Sequence, residues 1–315
     1  MSASVELIDP VLAMADRALS AFGDPVWWGS IPRFVVPVLL AAQGGALCQR
    51  AGVFNIALEG KMLAGAFAAV AVSYATGSAL LGALAALLAG MLFGAIFAVA
   101  SAWKRGDAIV VSIAINLLAS GMTAFGLRAF FGRKGSFDDP GIVALDSFDI
   151  PLLGELPVIG AFFAGQTAVV WLALVLTVAA HGFLVHHRWG LWLRGVGENP
   201  AAARSAGVSV AWVRTGALLA CGAFCGLAGA QLSIGAVSLF VEDMSAGRGW
   251  IAVVVVIMAR ARPWTVALVA LLFGAVDSLS VRIQGAGLPQ QVTEALPYVV
   301  TLLVLVLASR RRARS

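Results

Sequence analysis

The side chains best able to handle a ligand crowd into one stretch, AQGGALCQRAGVFNIALEGKM at residues 42–62. Gln43, Gln49, Arg50, Asn55, Glu59 and Lys61 are interleaved there with Gly44, Gly45, Gly52 and Gly60. Amides and charges on a glycine-rich backbone suit hydrogen bonding to a polar solute rather than bond breaking. A uniform helix does not account for the run. A helix broken near residues 49–60 does, because irregular backbone at membrane depth is tolerated where protein buries it or where it lines a wet cavity. An ordinary turn between two spans is the other reading. A second set is Asn116 in VVSIAINLLASGM, with Ser112 one turn before it and Ser120 one turn after. That spacing makes a polar stripe on one helix face, which either lines a pathway or hydrogen-bonds between helices. Asp277 is the one carboxylate deep in a clear apolar run. It is either a coupling group for protons or sodium or a structural partner of a neighbouring polar group.

Several chemistries are excluded. EGKM at 59–62 is not a phosphate loop, since Asn55 stands five residues before Gly60 and Met62 follows Lys61. No other phosphate loop is present, so the chain is expected to hydrolyse no ATP itself. No Ser/His/Asp or Cys/His set occurs, and the chain is not expected to be an enzyme. His181, His186 and His187 sit together at one end of an apolar run, as interfacial residues do. Cys48, Cys221 and Cys225 lie in or beside apolar runs without a nearby His, so they read as small buried hydrophobes and no metal site is expected.

The elements that must position these residues follow from composition. Of 315 residues, 61% are hydrophobic and 12% charged. A soluble domain is about 45–50% apolar and about 25% charged. The chain therefore reads as an all-α, polytopic membrane helix bundle. Apolar runs at 33–48, 60–77, 79–102, 108–131, 167–186, 213–237, 249–260, 264–283 and 295–309 predict about eight or nine membrane helices. The first and seventh are short enough to be broken or re-entrant. Residues 1–32 form an N-terminal segment of amphipathic character without a basic signal region, 33–309 the membrane domain, and 310–315 a basic tail with four arginines.

The net charge of +5 is distributed by loop. Lys104 and Arg105, then Arg188, Arg194, Arg204 and Arg214, then Arg260 and Arg262, alternate with a long 132–166 loop carrying Asp138, Asp139, Asp146, Asp149 and Glu155. Basic loops face the cytoplasm, which puts the C-terminus there and the acidic loop outside. The basic residues do not form a soluble patch with interleaved aromatics, so no nucleic-acid partner is expected; membrane lipid is.

One loop is oddly well specified. Within residues 187–212, GVGENPAAARSAGVSV at 195–210 reads as a short helix: Asn199 as N-cap, Pro200 as first residue, alanines behind it, Gly207 to end it. It is either a connector or a docking surface. The pairs Gly90/Gly94 and Gly222/Gly226 place small residues on helix faces and predict close helix packing.

Two of these stretches carry a family signal. GVFNIALEGKMLAGAF at 52–67 resembles the G-x-x-N-I-G-x-E-G-x-M signature of permease subunits in bacterial ABC importers of the ribose and branched-chain amino acid superfamily. LRGVGENPAAARSAGVSV at 193–210 resembles their cytoplasmic loop, and GRGWIAVVVVIMARARPW and LPYVVTLLVLVL fit as well. The likeness runs over about residues 34–309 and is greatest to the nucleoside branch. Ala57 replaces a glycine of the signature, and ARARP departs from its usual pattern. The resemblance implies a permease subunit in the bacterial inner membrane. A separate ATP-binding subunit carries ATP and Mg, a second and different permease chain completes the pore, and an extracytoplasmic binding lipoprotein delivers a small solute. It implies a coupling helix with Glu198, Asn199, Pro200, Arg204 and Gly207 seating on the ATPase. It implies a substrate pathway including Gln43, Asn55, Glu59, Phe67, Asn116 and Phe240, with Phe54, Phe67 and Phe240 as candidates to stack on a base. Simple sugars such as ribose, and branched-chain amino acids, are the other solutes of this superfamily. An ion-coupled carrier using Asp277 and Glu59 is the alternative from another class.

Overall fold

The computed structural model describes residues 20, 23–148 and 159–284. The described chain is helical, apart from two-residue strand pairings. Its principal helices are α1 (Pro25–Arg50), α2 (Leu58–Thr76), α3 (Ala79–Ala98), α4 (Ala108–Phe131), α5 (Ile159–Phe163), α6 (Ala168–His186), α7 (Arg188–Glu198), α8 (Pro200–Ser205), α9 (Val210–Ala230), α10 (Arg248–Met258) and α11 (Pro263–Ile283). Single π-helical turns, Val99–Trp103 and Gln231–Gly235, extend α3 and α9.

Among the described residues, six helices are long and apolar enough to cross a membrane: α1, α3 with its π turn, α4, α6, α9 with its π turn, and α11. Three of the nine expected spans are not in that set. The 295–309 run lies outside the described residues, as do Asp149, Glu155 and the 310–315 tail. The 249–260 run is an 11-residue helix, α10, too short to cross alone. The 60–77 run is a 19-residue helix, α2, whose first turn carries Glu59 and Lys61, and those charges lower its mean hydropathy. The first span, expected at 33–48, is a continuous 26-residue helix. Aromatic and small residues from Pro25 onward extend it to crossing length.

The chain forms two compact units. The smaller gathers the described residues up to Val35, those from Phe148 to Gln166, and those from Leu271. Here Asp24 caps α1 by accepting from the Val26 amide at 2.9 Å and takes a 2.6 Å bond from Arg282. The Arg282 guanidinium and that amide hold the Asp24 carboxyl below the usual carboxylate range. Ser30 and Ser278 share a 2.8 Å hydrogen bond, and Gln166 donates to the Gly29 carbonyl at 2.9 Å.

The larger unit holds residues Val36–Ser147 and Thr167–Ala270. Its centre is a three-helix crossing made by small residues. A methyl on Gly222 would strike the Gly90 carbonyl, and one on Gly226 the Ala86 carbonyl, so α3 and α9 touch backbone to backbone. Gly65 on α2 meets Gly226 at 2.7 Å from an added Cβ, which brings the third helix into the same contact. Lipid supplies little hydrophobic drive for helices to associate, so close van der Waals packing of this kind does it instead. The small-residue faces expected from the sequence are the faces that meet.

Candidate functional site

Between α1 and α2 the chain is irregular over residues 51–57, opening with Gly52 at φ 72°. The broken segment therefore lies inside the expected 49–60 interval. Its shape is held from three sides. Asn55 folds back on it: Oδ1 accepts from the Ala57 amide at 3.0 Å, and Nδ2 points at the Cys221 sulfur at 3.2 Å and the Cys48 sulfur at 3.6 Å. Ser112 on α4 accepts from the Ile56 amide at 3.2 Å. Asn116, one turn on, accepts from the Gly60 amide at 2.9 Å and donates to the Ile56 carbonyl at 3.1 Å. The stripe continues with Ser120, which donates to Asp243 at 2.8 Å. Of the two uses open for the Asn116 stripe, its polar atoms serve the interhelical one, fastening α4 to a backbone that leaves its own amides unpaired.

Glu59 sits in the first turn of α2 and reaches across to α10. Its Oε1 accepts from the Gly247 amide at 2.8 Å and its Oε2 from the Gly249 amide at 2.6 Å. One carboxylate thus faces the positive ends of two helices, a favourable arrangement on both counts. Gly249 is required by this approach, because an added Cβ would lie 2.6 Å from the carboxylate oxygen.

The other expected pathway residues lie apart from this clamp. Gln43 is buried on α1, donating to the Pro263 carbonyl at 3.0 Å and to Thr177 at 3.3 Å. Phe67 and the fully buried Phe240 stack edge to face at 5.2 Å within a core that includes Phe131 and Phe137. The strand pairing of Phe137 with Phe240 closes that core. Phe54, by contrast, is 43% exposed. It borders a crevice with Gly45, Gln49, Asn55 and Val256 that has room for about 10 Å³, one water molecule at most. Asp277, in the smaller unit, is half-buried and engaged in an interaction there.

The 187–212 loop contains two helices, not one. Residues 195–198 belong to the end of α7, and Asn199 breaks the chain sharply between α7 and α8. Its Oδ1 accepts from the Ala201 and Ala202 amides at 3.1 and 3.0 Å. Pro200 follows as the first helical residue, and Gly207 at φ 79° ends the element, with the Val208 amide returning to the Ala203 carbonyl at 2.9 Å. Glu198, Asn199, Arg204 and Gly207 are exposed and Pro200 half-exposed. Beneath them, Leu193 and Val196 of α7 pack with Leu47, Ala51 and Ala217, so the surface helix stands on a buried base.

Three features escaped the sequence reading. Gly197 lies backbone to backbone on Gly52 and the Arg50 carbonyl, and Arg214 donates to the Ala51 carbonyl at 3.3 Å, which joins the loop directly to the irregular segment. Arg50 donates to the carbonyls of Ala261 and Arg260 at 2.9 and 3.2 Å, holding a turn in which both residues are left-handed at φ 51°. Lys61 is fully buried, its ammonium 4.7 Å from the centre of the Phe97 ring. The close glycine approach was foreshadowed only by the glycines themselves; nothing local in the sequence pairs residue 52 with residue 197.

Residues 30–308 match the model of the family described as branched-chain amino acid transport system, permease component. A protein of Haloferax volcanii provisionally named a glucose ABC transporter permease is 34% identical, over 85% of this chain and 80% of its own length. A nucleoside ABC transporter permease protein of Lactococcus lactis subsp. cremoris is 33% identical, over 87% of this chain and 89% of its own. A guanosine ABC transporter permease protein of Bacillus subtilis is also 33% identical, over 86% and 88%. With a match over nearly its whole length, and six helices among the described residues long and apolar enough to cross a membrane, the chain belongs to this family and is, like these relatives, a multi-pass membrane permease of an ABC transporter rather than an enzyme.

Proposed function

We propose that the chain is one half of the pore of an importer that moves nucleosides across the bacterial cytoplasmic membrane. A separate subunit binds ATP and Mg and supplies the energy, a different permease chain forms the other half, and an extracytoplasmic binding protein delivers the solute. Residues 187–212 and the C-terminus face the cytoplasm, in keeping with the basic loops. The observation that carries the mechanism is the contact of Gly197 with Gly52. A push on the exposed, capped α8 reaches the 51–57 segment through that contact and through Arg214. The Asn116 clamp and the Glu59 bridge then pass it to α4 and α10. Glu198, Asn199, Pro200, Arg204 and Gly207 are the proposed seat for the ATPase.

The solute pathway runs beside the same segment. Asn55, Glu59 and Asn116 fix the backbone that forms its wall, while Gln43, Phe67 and Phe240 are held in packed interiors apart from it, and Phe54, the exposed aromatic of the segment, is the ring best placed to stack on a base. Nucleosides are favoured by the names of the Lactococcus and Bacillus relatives. A simple sugar is the second reading, favoured by the Haloferax relative. Uptake of labelled uridine and adenosine, with this gene deleted and restored, separates the two. Nucleoside uptake that is lost on deletion, competed by unlabelled guanosine and indifferent to excess glucose and ribose supports the nucleoside reading. Uptake of labelled sugar that depends on the gene, with nucleoside uptake unchanged, overturns it.

A further inference from the structure

Where the ends of three membrane helices meet in the larger unit, an open cavity of about 270 Å³ is lined by three guanidiniums: Arg50 at the end of α1, Arg194 on α7 and Arg262 just before α11. No Asp or Glu contributes to its lining. Among the described residues no carboxylate lies within ion-pair distance of any of the three, and that includes Glu198, one turn along from Arg194. Arg50 spends two of its donors on the Arg260 and Ala261 carbonyls. The buried Nε of Arg194 has no hydrogen-bond partner. Three like charges converging on one hollow repel each other, and a guanidinium left without an acceptor loses hydrogen bonds that water had supplied. An anion in the hollow answers both, and guanidiniums match the oxygens of a phosphate in pairs.

The remaining walls say which phosphate. Leu184 and Val185 at the end of α6, with Pro263 and Trp264 at the start of α11, add apolar surface to the lining, beside the polar His181 and Thr265. Val185 and Trp264 are about half-exposed at the ends of crossing helices, Trp264 beside His181 with ring centres 5.8 Å apart. A tryptophan at that level marks the membrane–water interface. A free phosphate has no use for an apolar wall; a phosphodiester with acyl chains attached does. We propose that the Arg50–Arg194–Arg262 cavity holds the phosphate headgroup of an anionic phospholipid, with its glycerol end against Trp264 and Val185. Basic hollows between membrane helices are suited to such headgroups. The proposal does not depend on which solute is carried.

The test is native mass spectrometry of the purified transporter, titrated with phosphatidylglycerol, with phosphatidylcholine, or with inorganic phosphate. The variants are Arg194→Gln and the double substitution Arg194→Gln, Arg262→Gln; Arg50 is left intact because it also holds the 260–261 turn. Preferential retention of phosphatidylglycerol by the parent, falling about tenfold or more in the double variant while the melting temperature is unchanged, is the expected result. Arg194→Lys is expected to fall between, since an ammonium keeps the charge and loses the paired geometry. Equal retention of both lipids, or a phosphatidylglycerol preference that survives the double substitution, overturns the site. Displacement of bound phosphatidylglycerol by millimolar phosphate overturns the lipid as its occupant.

Discussion

Asn116 and Glu59, which the family resemblance implies for the solute pathway, both spend their polar atoms on backbone. Each satisfies amides that an irregular segment or a helix start leaves without partners. Asn116→Leu removes the acceptor of Gly60 and the donor to Ile56 together. We expect a stability loss on the order of 2 kcal/mol, since leaving a buried polar group unpaired costs about 1–3 kcal/mol. It is read as a lower apparent melting temperature of the detergent-purified protein. Glu59→Ala should cost more than Glu59→Gln, because glutamine keeps one acceptor oxygen for one of the two amides, while it loses the charge and turns an NH2 toward the other. An Asn116→Leu protein that melts with the parent would show the amide to be free for solute after all. The types of these residues are legible in the sequence. Their partners are not, because Asn116 and Ile56 are 60 positions apart and hydrogen-bonding geometry leaves no local trace. Phe240 shows the same gap: its aromatic ring was evident, its complete burial against Phe67 was not.

At the scale of elements, the decisive contact is the crossing of α3 and α9. Gly222 faces the Gly90 carbonyl, whereas Gly216 on the same helix has nothing within 4 Å of an added Cβ. Gly222→Ala should therefore separate the helices and destabilise by about 1–3 kcal/mol, the range for overpacking a tight contact. Gly216→Ala should leave stability unchanged or raise it by up to about 1 kcal/mol through helix propensity. Thermal melts of the two variants side by side give the comparison, and equal effects would remove the crossing from the account. Spans of high hydropathy such as α3, α4 and α6 could be read directly from the chain. The runs at 60–77 and 249–260 mark α2 and α10 as well, but they do not show that Glu59 bridges to α10, that the buried Lys61 ammonium lies over the Phe97 ring, or that the Arg50-held turn follows α10. Hydropathy scores a residue against lipid, while these residues are placed by protein. The Asn199-capped helix is legible from its cap, its proline and its alanines, whereas the helix that precedes it, Arg188–Glu198, is not.

At the scale of the whole molecule, the proposed route for energy runs from the exposed α8 to the proposed solute pathway within one unit of the fold. The family assignment makes the chain an ABC permease; the proposal adds nucleosides as cargo and α8 as the point where energy enters. The most direct test measures nucleoside uptake by cells carrying the parent chain or the double substitution Asn199→Ala, Arg204→Ala. Membrane abundance and co-purification with the ATPase subunit are followed in parallel, as is the response of uptake to ATP depletion and to a protonophore. Losing the Asn199 cap costs a helix about 1 kcal/mol, a large share of what six residues can hold. The expected result is parent uptake that fails on ATP depletion but survives the protonophore, and a variant that reaches the membrane yet transports at least about tenfold more slowly. Parent-like uptake by the variant, or uptake that collapses with the proton gradient while ATP is held constant, would contradict the account and turn attention to Asp277.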